Sequence, residues 1–221
     1  MTRRLVVLTK YGCEEPFQDL YDSVLKEIPT TITPDDTLVL EGGTDIGSSF
    51  YGEKPGKYTS TPDVLRDRRE VRMILDFADA GASILGICRG AQFVTAFLGG
   101  RLIQHVTGHE KHMGHPIVTD KDVSLWASSL HHQMMYPFNL SRDAYKILAH
   151  TPSRRSKMYL DGKNHEVSKD FPSDFVEPEI VWYPKIRALA IQGHPEYMPL
   201  DCRFVQHCRN LVKEYIFHEG N

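Results

Sequence analysis

The chain of 221 residues is 41% hydrophobic and 25% charged, with a formal net charge of −3. That is the make-up of a soluble globular protein able to bury a large core without disulfides or metal, and it suits one α/β domain over residues 1–221. So small a charge gives no reason to expect nucleic acid or an anionic membrane as partner, and the short basic runs at Arg66–Arg69 and Ser153–Lys157 read as solvated surface.

In chain order, Arg4–Lys10 reads as a buried strand. Phe17, Leu20, Tyr21, Val24, Leu25 and Ile28 then recur at helical spacing, which predicts an amphipathic helix. "DTLVLEGG" is a second strand running into a glycine pair. A long polar helix over Asp63–Ala80 carries Val71, Ile74, Leu75 and Ala78 on one face. "ASILGIC" is a third strand, and "RGAQFVTAFLGG" a helix ended by glycines. Strands alternating with helices at this spacing predict βαβ units and a parallel sheet with helices on both faces. After Arg101 the strands shorten ("RLIQHV", "HPIVTD", "YKILAHT", "EIVWYP", "RALAIQG") and are expected to extend the sheet, some as antiparallel pairs. "SKDFPSDFVEPE" reads as loop, and the segment from Cys202 to Phe217 as a helix with Phe204, Val205, Cys208, Leu211, Val212, Tyr215 and Ile216 on one face.

Four cysteines (Cys13, Cys88, Cys202, Cys208) with no C-x-x-C pair do not make a disulfide framework. The N-terminal apolar run ends after five residues, too short for a signal core or a membrane span. Together these point to a reducing cytoplasm and to free thiols.

One of the four stands apart. In "LGICRGAQ", Cys88 sits where a strand must turn sharply into a helix, between Gly86 and Gly90. A nucleophile at such a turn is lifted clear of the sheet, and the glycines fit because a Cβ would meet neighbouring backbone. The helix starting at Arg89 points its positive end at the sulfur, which favours thiolate, and the Arg89 N–H is placed to stabilise an oxyanion. A thiol nucleophile needs a base, and the base needs an orienting carboxylate. "IQGHPEYMP" offers both, His194 and Glu196, directly after a predicted strand. The order cysteine, histidine, glutamate, with the last two nearly adjacent, differs from the α/β-hydrolase order of nucleophile, acid, histidine.

With "GICRGAQ" and "GHPE" in place, the sequence resembles the class I glutamine amidotransferase-like family, and within it the γ-glutamyl hydrolase branch of peptidase C26. Further landmarks follow in order: "EGGTDIGSSFYGE" (Glu41–Glu53), "LRDRREVRMI", "GGRLIQ" (Gly99–Gln104) and "SSLHHQ" (Ser128–Gln133). The resemblance implies a flavodoxin-like three-layer fold, a mostly parallel sheet with smaller antiparallel additions in the C-terminal half. It implies Cys88 as nucleophile, His194 as acid/base and Glu196 as its orienter, with the N–H groups of Gly43 and Arg89 as oxyanion hole. Gln92 and the backbone around Leu130, His131 and His132 would hold the γ-glutamyl group. Gly193 stands where relatives often carry an aromatic residue, which suggests a wider pocket there.

Other constellations carry less. His105, His109, His112 and His115 are densely spaced, but Gly108 and Gly114 favour loop over the helix a metal set would need, so no metal is expected, nor any cofactor. "EGGTDIG" lacks the lysine and helix of a phosphate loop. Trp126 and Trp182 read as packing residues. Three functional classes follow: a stand-alone γ-glutamyl amide hydrolase acting on a small-molecule substrate, a glutaminase subunit feeding ammonia to a separate synthase in trans, and a non-catalytic binding descendant, which the retained triad disfavours.

Overall fold

The computed structural model describes residues 2–8 and 11–218, and at 111–113 the backbone without the side chains. Among the described residues thirteen strands and three α-helices follow one another: β1 (Arg4–Val7), β2 (Ser23–Leu25), β3 (Asp36–Leu40), α1 (Val64–Asp79), β4 (Ser83–Ile87), α2 (Arg89–Phe97), β5 (Arg101–Ile103), β6 (His105–Val106), β7 (Glu110–Thr119), β8 (Ser124–Leu130), β9 (Met134–Tyr136), β10 (Lys146–His150), β11 (Tyr159–Leu160), β12 (Pro178–Tyr183), β13 (Ala188–Ile191) and α3 (Arg203–Leu211), the last continued by one wide helical turn over Val212–Ile216.

Nine strands form the central sheet in the order β2-β1-β3-β4-β13-β12-β10-β7-β8. From β2 to β13 all neighbours are parallel, and from β13 to β8 all are antiparallel. β5 with β9 and β6 with β11 make two small antiparallel sheets. This is the three-layer architecture expected, antiparallel additions included. Strand β13 is the seam: it is the last parallel strand, yet it comes almost last in the sequence.

Period-two alternation along the buried strands feeds two cores. Leu5, Val7, Leu85, Ile87, Leu189 and Ile191 pack with Phe204, Cys208 and Leu211 of α3 on one face. Val6, Leu38, Leu40, Ile84, Ala188 and Ala190 pack with Met73, Ile74 and Phe77 of α1 and Phe93 and Val94 of α2 on the other. Small residues at 86, 188 and 190 let α2 lie close on the sheet.

Several expectations are corrected. Residues 17–28 do not form a helix: a 3-10 turn at Gln18–Leu20 leads into edge strand β2. The apolar spacing has another cause, since Val24 packs against one core and Leu25 against the other, as strand neighbours do, and Ile28 is exposed. β1 ends at Val7, and Thr9 and Lys10 of the expected strand lie outside the described residues. α1 keeps the expected Val71, Ile74 and Ala78 against the core, but Leu75 is exposed, and Arg66, Asp67 and Glu70 are buried along with Met73 and Phe77. The run Arg66–Arg69 is thus only half surface. The stretch read as loop around Gly108 and Gly114 is largely strand, with His112 among the residues whose side chains are not described. Trp126 lies 54% exposed on edge strand β8, whereas Trp182 packs against Tyr215. The loop over 168–179 is present up to Pro178, where β12 begins. Among the described residues no helix is long and apolar enough to cross a membrane.

Candidate active site at the seam of the sheet

Cys88 caps the N-terminus of α2, one residue past β4, with φ 51° and ψ −106°. A non-glycine residue at positive φ costs on the order of 1–3 kcal/mol and persists only where its surroundings enforce it. Here they do. Its N–H donates to Ile191 O (2.8 Å) and its C=O accepts from Gln92 N (3.1 Å). A Cβ at Gly90 would stand 1.9 Å from Leu40 O, and one at Gly86 would stand 2.8 Å from Ala91 N. Both glycines are therefore obligatory for the elbow, as read from sequence.

β13 pairs in parallel with β4, Ile191 opposite Ile87. Residues just beyond the carboxyl ends of these two strands meet there, the usual place for a site in such sheets. His194 Nδ1 lies 2.8 Å from Glu196 Oε1. The ring stands beside Cys88, since a Cβ on Gly42 would approach both residues. Burial works against a charged His194, but the bonds to Cys88 and Glu196 outweigh it and hold the imidazole well above its ordinary range. The structure thus brings the three sequence-predicted residues together: Glu196 bonds His194, and His194 and Cys88 both flank Gly42.

Four supporting residues escaped the sequence reading. Ser128 Oγ donates to His194 O (2.5 Å) and accepts from His194 N (2.9 Å), pinning the histidine backbone to β8. Tyr197 stacks on the His194 ring, centroids 4.6 Å apart. Cys13 lies in a turn after β1 yet is 1% exposed, and its thiol donates to Glu196 Oε1 (3.2 Å). Burial first, then the Glu196 charge, raises the Cys13 pKa and keeps it a thiol. Phe204 accounts for Gly193. A Cβ there would meet Ser128 O at 2.7 Å and Phe204 Cζ at 3.3 Å, so the glycine marks a close approach of β8 and α3, not a wider pocket.

The glycine pair after β3 forms the next wall. A Cβ on Gly42 would stand 3.3 Å from His194 Cε1 and 3.8 Å from Cys88 Cβ, and Gly43 adopts φ 139°. The backbone is braced from behind by Arg66, whose guanidinium donates to Glu41 O (2.8 Å) and Gly42 O (2.9 Å). Arg66 Nε pairs with Glu70 (2.7 Å), Glu70 also pairs with Arg89, Arg89 pairs with Asp67, and Asp67 accepts from Gly47 N (2.9 Å). Within "LRDRREVRMI", Arg66, Asp67 and Glu70 thus form with Arg89 a buried ion-pair lattice that ties both the glycine loop and the first residue of α2 to α1. Its members satisfy one another, as buried charges must.

The remaining sequence candidates divide. Gln92 is buried, its amide donating to Gln133 O (2.9 Å). Leu130 is 37% exposed at the end of β8. His132 Nε2 pairs with Asp45 Oδ1 (3.1 Å), and that bond first, then the Asp45 charge, overcomes burial and raises its pKa. The His131 side chain turns inward, Nδ1 to Gln133 O (2.8 Å) and its ring against His109, so that at 131 only the backbone is left to meet a ligand. Gln104 of "GGRLIQ" donates to Glu53 of "YGE" (2.8 Å) and so joins two landmarks far apart in sequence.

The peptidase C26 family model matches residues 22–196. The chain belongs to the peptidase C26 family. The glutamine amidotransferase-like protein YvdE of Lactococcus lactis subsp. lactis (strain IL1403) is 28% identical over 209 residues, 86% of this chain and 81% of that protein. Among solved structures, a chain of PurLQS from Thermotoga maritima superposes with a TM-score of 0.58 at 15% identity, covering 95% of this chain and 98% of that one. A glutamine amidotransferase from the same organism gives 0.51 at 13% identity, over 97% and 85%. At such identities these likenesses speak for the fold, which is that of the class I glutamine amidotransferases.

Proposed function

We propose that this C26 member hydrolyses a γ-glutamyl amide through a thioester on Cys88. The observation that carries this is the strained Cys88 elbow beside a histidine that Glu196 holds at 2.8 Å. The family membership and the likeness to a glutamine amidotransferase-like protein support the substrate class.

In this reading His194 takes the proton of the Cys88 thiol, and its raised pKa favours holding it. The Cys88 sulfur attacks the γ-carbonyl carbon and the C=O electron pair moves onto oxygen. That oxygen is met by the N–H groups of Gly43 and Arg89, the first held by Arg66 through its neighbouring carbonyls, the second opening α2. His194 gives its proton to the departing nitrogen as the C–N bond breaks, releasing ammonia or an amine. Water then loses a proton to His194 and attacks the thioester, and glutamate leaves with the thiolate restored. Glu196 keeps the Nδ1–H tautomer throughout. Gln92 and the backbone at Leu130, His131 and His132 are the binding side of this site, and Asp45 with His132 stands ready for the α-amino and α-carboxylate groups.

The test is steady-state release of glutamate, and of ammonia or amine, by the purified chain from glutamine and from a panel of γ-glutamyl amines. Turnover of about 1 per second or more, as for competent enzymes, is expected. Background rates that climb sharply with a co-expressed partner would instead make the chain a glutaminase subunit of a trans-acting amidotransferase. Background rates under every condition would leave a binding descendant.

A further inference from the structure

Behind the substrate wall, and separate from Cys88, the antiparallel half of the sheet encloses a second group of titratable side chains. His109 precedes β7, His115 lies on it, His131 follows β8 and Glu179 lies on β12. All four are buried, His109 and His115 completely. One ligand atom from each lies within 4.8 Å of all the others. Within the group, His115 Nε2 is 3.2 Å and His109 Nδ1 3.5 Å from Glu179 Oε1. Four nitrogen or oxygen ligands held tetrahedrally at about 2.0–2.1 Å from a metal ion stand about 3.3 Å apart.

The outer atoms of the rings point the same way. His109 Nε2 faces Glu177 Oε2 (3.2 Å), His115 Nδ1 faces Pro116 O (3.1 Å) and His131 Nδ1 faces Gln133 O (2.8 Å). Each ring therefore places its N–H on an oxygen outside the group and turns a lone pair inward, which is how metal-binding histidines are oriented. Glu177 is itself fixed, by Thr151, Arg155 N, Ser156 N and the Tyr159 hydroxyl. The inward atoms, by contrast, have no hydrogen-bond partner: His109 Nδ1, His115 Nε2, His131 Nε2 and both carboxylate oxygens of Glu179.

A buried acceptor without a donor is costly, and here one from each of four residues converges. A proton on His115 would serve Glu179 and leave the lone pairs of His109 and His131 opposed. One cation at the centre answers every inward atom at once. The geometry points to a structural site for one divalent transition-metal ion, zinc by its three imidazoles and single carboxylate, held by His109, His115, His131 and Glu179. It has no open side, which suits a structural ion. It would tie the β7–β8 hairpin to β12 where β10 has ended at His150, and so fix the His131–Gln133 backbone that faces the substrate. This inference does not rest on the reaction assigned to Cys88.

The test is the metal content of the full chain, produced without a polyhistidine tag and without chelator, by inductively coupled plasma mass spectrometry. About one zinc per chain is expected, as for a closed structural site. Chelation should lower the melting temperature, and zinc or cobalt(II) should restore it, cobalt with the intense visible absorption of a four-coordinate ion. Glu179→Gln and His115→Gln should each lose metal affinity at least about tenfold, while Cys88→Ala keeps the full content. Should those two variants fail to fold, the wild-type content and the cobalt spectrum decide. A wild-type chain that carries no metal, takes up neither zinc nor cobalt, and melts at one temperature with or without chelator overturns the inference. So does metal that is lost in Cys88→Ala but retained in Glu179→Gln.

Discussion

His194 and the trio His109, His115 and His131 obey one rule and do different things. In every case one ring nitrogen is tied to an oxygen, which fixes the tautomer and aims the other nitrogen. What differs is the target. His194 stands at the carboxyl end of the last parallel strand, where the chain has just left the sheet, and faces a thiol on a strained turn. The trio stands inside the antiparallel half, and its members face one another and Glu179. An imidazole aimed at a thiol can pass a proton, while three aimed at a common point can only share a cation. In the proposed function the parallel half supplies chemistry at strand ends, and the antiparallel half supplies the wall beside it.

Substitutions can break this contrast. The largest effect is expected at the thiol and the base. Cys88→Ala and His194→Ala should each lower kcat by about 10⁴-fold or more, whereas Glu196→Gln loses roughly 10- to 100-fold less than they do, because orienting a base matters less than being it. None of the three should change metal content. Equal and negligible losses in steady-state assays would refute the assignment. Next comes the lattice behind Gly43 and Arg89, the proposed oxyanion donors. Glu70→Gln strips a shared carboxylate from Arg66 and Arg89 and should destabilise the chain by about 3 kcal/mol in denaturant titration. Arg72→Ala, on the exposed face of α1, should cost less than about 0.5 kcal/mol.

Smaller effects sharpen the picture. Ser128→Ala removes both bonds that pin the His194 backbone and should cost about 1–2 kcal/mol of transition-state stabilisation, roughly tenfold in kcat with KM little changed. The last effect is in pH. The folded state raises the His194 pKa to about 10, so the stability this pairing adds is complete below the ordinary value of 6.5 and fades as pH climbs through about 10. In Cys88→Ala the leading partner that raises it is gone. The imidazole resonances should then titrate at lower pH than in the wild type, and the alkaline loss of stability should flatten. An unchanged titration would separate the ring from the thiol.

How much of this the sequence disclosed depends on whether the signal was local. Cys88 between two glycines and His194 two residues from Glu196 are short patterns with short-range causes, and they meet because β13 is set beside β4. The helix predicted over Phe17–Ile28 failed because an edge strand packed on both faces puts Val24 and Leu25 into two different cores, which leaves the same spacing as a helical stripe. Arg66 and Asp67 read as surface because charge seldom goes inside, and only the folded chain shows each finding its partners on α2 and the glycine loop. Nothing local marks Cys13, because its partner, Glu196, lies 183 residues away. The histidines around Gly114 were dismissed as a metal set for lack of a helix. His131 and Glu179, which complete the group, come from β8 and β12, and no spacing within one segment could have announced them.

The central claim is that Cys88 alone forms the covalent intermediate, although Cys13 stands within the same hydrogen-bond network. Its most direct measurement is mass spectrometry of the chain after exposure to a glutamine-like diazo-ketone. The account predicts about one adduct per chain, on the Cys88 peptide, with activity lost in step, as for a nucleophile activated by an adjacent base. Cys13, buried and kept protonated beside Glu196, should stay unmodified. An adduct on Cys13, or labelling and activity that persist in Cys88→Ala, would contradict it.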